Sequence, residues 1–183
     1  MAETKPRKIA AIDSSLLAHA RTQGDGAPEA PGTFSMMEKP KPQNCPVDAK
    51  DVLGLNYEFG AGWKFVCVYP GKEAEGREIA NGVPVAFGTW IDGDGSGLIP
   101  RLRLKDAAGR IWQPTFPPVD WTGWRYVEAR LDEDTGHWGG DASADHPKPM
   151  APLHWEAPFL FDNASHTSKK GEIYFTSPVP ISE

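Results

Sequence analysis

Cysteine is nearly absent from this chain: Cys45 and Cys67 are the two among 183 residues. Two cysteines build no disulfide framework, so the fold has to rest on a packed core. A single Cys45–Cys67 bridge stays open, because spacing alone fixes no geometry. Cys67 lies in the apolar run WKFVCVY and reads as a buried, inert thiol, whereas Cys45 lies in the loop QNCPVD. Excess positive charge is also missing. The net charge is −6, and a nucleic-acid footprint would need a basic stripe. No run approaches the roughly 18 apolar residues of a membrane span. The start, MAETKPRKIAAIDSS, lacks the apolar core of a signal peptide, so an exported protein would have its signal outside this sequence. Helical patterning is scarce too. Only SSLLAHAR, capped by Ser14 or Ser15, reads as a short helix.

What is abundant is punctuation: 19 glycines and 18 prolines, with seven tryptophans between them. Residues 1–32 are small, polar and proline-dotted, as in RTQGDGAPEAPG, and read as a linker or a surface-wrapped segment. From residue 33 to 183 short strand patterns alternate with turn signals. The expected strands cover about 33–39, 52–59, 62–69, 83–91, 98–105, 109–116, 123–131, 152–161 and 171–179. DAAGR is a tight hairpin turn in which Gly109 supplies the special backbone angle. Parallel sheets need crossovers of a dozen residues, and none is visible. The fold class is therefore all-β, an antiparallel sandwich with jelly-roll architecture.

The stretch DGDGSG admits three readings. A phosphate cradle needs Gly-x-x-x-x-Gly-Lys-Ser/Thr before a helix, and the lysine and helix are missing. A cation loop fits half-way: Asp92, Asp94, Ser96 and Gly97 fall at positions 1, 3, 5 and 6 of a calcium loop, but position 12 is Arg103. The third reading is a glycine-rich connection whose aspartates bond local amides, and it takes most of the weight.

Alternation assigns faces. Leu102 and Leu104 share one side of LIPRLRLK, leaving Arg101, Arg103 and Lys105 on the other. Val127, Ala129 and Leu131 match the leucines, leaving Trp124, Tyr126, Glu128 and Arg130 opposite. If these strands pair, arginines and aromatics share one sheet face, with Trp112 joining them. Rings cover the C–H face of a sugar, and guanidinium groups bond hydroxyls or carboxylates in pairs. Several arginines favour uronic or sulfated sugars. The alternative reading has Trp124 and Tyr126 cover the sheet under the N-terminal segment, with the arginines paired to Glu128, since aromatics are usually core. A second platform is Trp138, in the long loop EDTGHWGGDASADHPKPM. His137, Asp141, Asp145 and His146 share that loop, at spacings that match no metal signature.

Catalytic patterns are missing. Glycoside hydrolysis needs two carboxylates about 5 to 10 Å apart, and nothing marks a pair. No Gly-x-Ser-x-Gly elbow or HExxH motif occurs.

The segments DGDGSG, RLRLKDAAGR, DWTGWRYVEA, HWGG and GEIYF, spread over about residues 50–179, resemble the jelly-roll carbohydrate-binding modules attached to bacterial glycoside hydrolases and surface proteins. The resemblance implies a galactose-binding-like sandwich and a polysaccharide-binding role. Related jelly rolls often hold a structural calcium through an Asp in the last strand. Here that stretch is IYFTSP, with Thr176 and Ser177, so the expected ligands reduce to Glu58, Asp92 and Asp94. The expected protein is a non-catalytic, secreted or cell-surface module that holds a polysaccharide beside a catalytic domain. The alternatives are a structural spacer of the same fold and a small jelly-roll lyase or hydrolase.

Overall fold

The computed structural model of the chain describes residues 21–25, 35–37, 44–47, 52–69, 78–80, 82–140 and 148–182. The expected helix at Ser14 or Ser15 lies outside the described residues. Among those described, all regular structure is strand: β1 (Arg21–Asp25), β2 (Ser35–Met37), β3 (Val52–Phe59), β4 (Phe65–Tyr69), β5 (Glu78–Ala80), β6 (Ala86–Asp94), β7 (Ile99–Lys105), β8 (Arg110–Trp112), β9 (Thr122–Arg130), β10 (His137–Gly139), β11 (Leu153–Asp162), β12 (Lys169–Thr176) and β13 (Val179–Ile181).

These strands form two antiparallel sheets. The first runs β1-β4-β11-β7-β8-β10, with β5 added along β11. The second runs β2-β3-β12-β6, with β9 along the whole of β6 and β13 against its first residues. The result is the expected jelly-roll sandwich. The inward rows meet as an aromatic seam. Phe159 and Phe161 of the first sheet lie 4.6 and 5.3 Å, centre to centre, from Phe175 of the second. Phe87 and Trp155 meet across the same gap at 5.7 Å. Each such side chain contributes roughly 1.5–3 kcal/mol by leaving water.

Proline explains where strands stop. The expected 109–116 strand ends at Trp112 because Pro114, Pro117 and Pro118 follow and offer no N–H to a ladder. The expected 171–179 strand breaks into β12 and β13 at Ser177–Pro178 for the same reason. β1 falls inside the segment expected as linker or surface wrap, and pairs with β4 from Arg21↔Tyr69 to Asp25↔Phe65.

The DAAGR turn is pinned by Asp106. Its Oδ1 accepts the N–H groups of Ala108 and Arg110 at 2.9 and 2.8 Å, and its Oδ2 accepts the indole N–H of Trp112 at 2.9 Å. Gly109 takes φ of 76° there. This clamp turns Trp112 inward, where it is fully buried. Trp112 is thus a core residue and not part of an exposed ligand face. Cys45 and Cys67 are unbridged thiols, the second buried.

Candidate functional site

The inside and outside positions fall as alternation assigned them. Leu102, Leu104, Val127, Ala129 and Leu131 are buried, and Arg101, Arg103, Tyr126 and Glu128 point away. The strands that carry them, however, do not pair. β7 lies between β11 and β8 in the first sheet, whereas β9 lies against β6 in the second. The expected single patch is therefore two half-patches on opposite outer faces of the sandwich. Arg101 and Arg103 occupy one, and Trp124, Tyr126 and Glu128 the other.

The arginine face gains aromatics from elsewhere. The Arg103 guanidinium lies 5.5 Å from the ring centre of Phe65 on β4 and 5.4 Å from that of Trp138 on β10. Its Nε–H donates to Gln113 Oε1 at 3.2 Å. This contact orients the flat group and leaves its two terminal nitrogens without a hydrogen bond to another described residue. Trp63 packs on Phe65 at 5.1 Å and is 55% exposed, while Trp138 is 44% exposed. Tyr69 is close enough for Arg103 to act on its hydroxyl. Burial, then Cys67, push that hydroxyl above its ordinary range, and the Arg103 charge opposes them. Beneath the rings lie Cys67, Ala157 and Leu160, a small buried apolar layer on the outside of the sheet. Such a layer on an outer face gives the platform a firm, dry floor.

Arg101 is held differently. Its guanidinium pairs with Asp162 at 3.2 Å and also donates to Thr115 Oγ1 at 3.2 Å. The ion pair neutralises Arg101, so Arg103 carries the accessible positive charge of the pair. Gln113 and Thr115 also open a groove of about 480 Å³ that runs along the open side of the sandwich to Glu128 and Arg130. Trp63, Phe65, Tyr69, Gln113 and Asp162 were not singled out from the sequence. The signal for the three aromatics was GWKFVCVY, which is apolar on both faces: Val66 and Val68 are needed inside, so Phe65, Cys67 and Tyr69 cover the outside.

The DGDGSG stretch is a turn held by the chain's own groups. Asp94 Oδ1 accepts the N–H of Ser96 at 3.0 Å, and Asp94 Oδ2 accepts the Tyr57 hydroxyl at 2.5 Å. Gly95 and Gly97 donate to the carbonyls of Trp121 and Val119, and the Lys169 ammonium donates to the carbonyl of Ser96. A cation is already seated on the loop, and it is a lysine. Burial, reinforced by Asp94, raises the Tyr57 hydroxyl far above its ordinary value. Glu58 does not reach this loop. Its ladder partner is Lys170, and Asp92 pairs four positions further along at Tyr174. Among the described residues no three His, Cys, Asp or Glu side chains cluster. Glu58, Asp92 and Asp94 thus form no three-carboxylate cluster. Of the segment expected as a long loop after β9, His137 opens β10 and packs on Trp112 at 4.6 Å, while Asp141, Asp145 and His146 lie outside the described residues.

No family model matches the chain, and no curated protein matches it. Solved structures do. The family 11 carbohydrate-binding module of the cellulosomal cellulase Lic26A-Cel5E of Clostridium thermocellum aligns with a TM-score of 0.53 at 9% identity, over 100% of this chain and 97% of that one. A family 11 carbohydrate-binding module from Clostridium thermocellum, in complex with a β-1,3-1,4-mixed-linked tetrasaccharide, aligns with a TM-score of 0.49 at 12% identity, over 98% of each chain. The first likeness shows the fold alone: the described residues form a jelly roll like that of this carbohydrate-binding module.

Proposed function

We propose that this protein is a non-catalytic carbohydrate-binding module that holds a polysaccharide on the outer face of its first sheet. The observation that carries the reading is Arg103 lying between Phe65 and Trp138, with exposed Trp63 beside them. Rings at two levels of one face offer stacking surfaces for successive sugar units. The terminal Arg103 nitrogens offer a forked donor for vicinal hydroxyls or a uronate carboxylate. Asp162, locked to Arg101, and Gln113 complete the polar rim. The Arg101–Asp162 ion pair spends that carboxylate on holding the face together. The reading goes with a secreted or cell-surface location, where structural polysaccharides lie, and with service to a neighbouring catalytic domain.

Affinity electrophoresis through gels containing neutral glucans, xylan, pectate or alginate tests this. Retardation in at least one gel, lost in Arg103→Ala and Trp138→Ala, supports it. Free migration in all of them, or release of reducing ends from any, rejects it.

A second reading has its own observation. Val83, Val85 and Met150 are 40, 41 and 55% exposed, and the first two help line a groove of about 460 Å³ with Pro84, Leu131 and Pro149. Asp132, Glu133, Asp134 and Lys148 line the rest of it, and an exposed apolar wall beside a charged one suits a spacer that packs on a neighbouring domain. Substituting Val83 and Val85 by Ser would then weaken that packing and leave gel retardation unchanged.

A further inference from the structure

The outer face of the second sheet carries rings and carboxylates where the first carries arginines. The antiparallel register sets Trp124 of β9 opposite Asp92 of β6, and Asp92 opposite Tyr174 of β12. These three positions form one row across three strands. The next row on the same face is Tyr126 opposite Trp90, whose rings meet edge-on at 5.6 Å and 61°. Directly opposed side chains in such ladders start about 5 Å apart, so Trp124 and Tyr174 flank Asp92 directly, and Trp90 and Tyr126 stand in the next row. The third row is Glu128 opposite Gly88. The hydroxyl end of Tyr126 lies over that glycine: a Cβ on Gly88 would stand 1.9 Å from its hydroxyl oxygen. The ring thus rests on bare backbone, yet stays 45% exposed.

Asp92 itself is half-buried and has no hydrogen-bond or ion-pair partner among the described residues. Burial, then the neighbouring Asp94, push its carboxyl above the ordinary value. Among the described residues no second and third His, Cys, Asp or Glu side chain joins it in a metal-binding group. Anions are disfavoured by Asp92, Glu128 and Glu172, the last held to the Tyr174 hydroxyl at 3.3 Å. What fits is a cation with an apolar body. A carboxylate supplies the counter-charge, and the π faces around it attract an ammonium group directly. Because the rings fill two successive rows, the patch is an extended platform for something flat. A sugar carrying a protonated amine has both properties.

We infer that the outer face of the second sheet binds a protonated amino sugar, as in a glucosamine polymer, with Asp92 as its counter-ion in a frame of Trp90, Trp124, Tyr126 and Tyr174. This site lies on the opposite side of the sandwich from Arg103 and does not depend on the reading given above. The intact protein is titrated with a glucosamine hexamer, with the fully N-acetylated hexamer and with tetramethylammonium, at mildly acidic pH, by calorimetry and tryptophan emission. The glucosamine hexamer should bind at least tenfold more tightly than either control. Asp92→Asn should weaken it at least tenfold at an unchanged melting temperature or a higher one, Tyr126→Ala should weaken it likewise, and Trp138→Ala on the first face should not. Equal binding of the acetylated hexamer, or no effect of Asp92→Asn and Tyr126→Ala, overturns the proposal. So does loss of binding in Trp138→Ala, which places the sugar on the first face. Tetramethylammonium binding as tightly as the hexamer reduces the site to a simple cation cage and overturns the amino-sugar assignment.

Discussion

Arg103 and Trp138 meet at 5.4 Å from guanidinium carbon to ring centre, although 35 residues and the whole of β8 and β9 separate them in the chain. Their strands are brought onto one face by β8, which pairs with β7 on one side and β10 on the other. The contact joins a β10 tryptophan to a β7 arginine, and it is where the polysaccharide reading is most exposed to test.

Truncating either member should cost binding and leave the fold. Both side chains are partly exposed, so Arg103→Ala and Trp138→Ala should change stability by about 0.5 kcal/mol or less. Affinity for the retained polysaccharide should fall about tenfold to a hundredfold, at 1.4 kcal/mol for each factor of ten. Calorimetric titration beside a urea melt reads both quantities. A large stability loss with binding intact would make the pair structural.

Asp92→Asn should stabilise the protein at neutral pH. The carboxyl of Asp92 is raised by burial and by Asp94. Between its ordinary and its raised value the folded state binds more protons than the unfolded state. Stability from this group is therefore full below the ordinary value and is lost as pH rises through the raised one. The asparagine variant escapes that loss. Its melting temperature should exceed the parent's at pH 7, and the gap should close on acidification to pH 3. A site kept at a cost in stability is the usual mark of function.

Asp106→Ala should be among the most damaging changes in a turn. It strands the N–H groups of Arg110 and Trp112, both buried, and frees that of Ala108. Each buried donor left unpaired costs about 1–3 kcal/mol, so a loss of about 3 kcal/mol is expected. Urea denaturation should show a lower midpoint at an unchanged slope.

Two glycines in β6 should respond differently to alanine. At Gly93 the new methyl would stand 2.5 Å from the backbone carbonyl oxygen of Trp121, which also accepts the N–H of Gly95. Backbone has to move, and a loss of about 1–3 kcal/mol follows. At Gly88 the obstacle is the exposed end of Tyr126, which can swing out. Gly88→Ala should melt close to the parent while losing the glucosamine hexamer, because the displaced ring leaves the Trp90 edge contact. Equal melting temperatures for the two variants would contradict this.

Much of the architecture was legible in the chain before any tertiary contact was considered. Period-two alternation in LIPRLRLK and GWRYVEARL placed Leu102, Leu104, Val127 and Ala129 inside, because side chains on a pleated strand must alternate. Proline and glycine marked the turns, and the jelly-roll class followed from many short strands with no crossover. The DGDGSG stretch behaved as a turn with Asp94 bonding the Ser96 amide, as its local chemistry dictates. The site was not legible in the same way. Alternation says which side of its own sheet a residue faces, and it is silent on which sheet the strand joins. That choice put Arg103 with Phe65 and Trp138, and Trp124 with Asp92 and Tyr174. It also took Trp112 into the core through the Asp106 clamp. Strand pairing is non-local: it is settled by which set of inward rows, Phe87 and Phe175 against Trp155, Phe159 and Phe161, closes one dry core, and the outer faces inherit their neighbours from that packing.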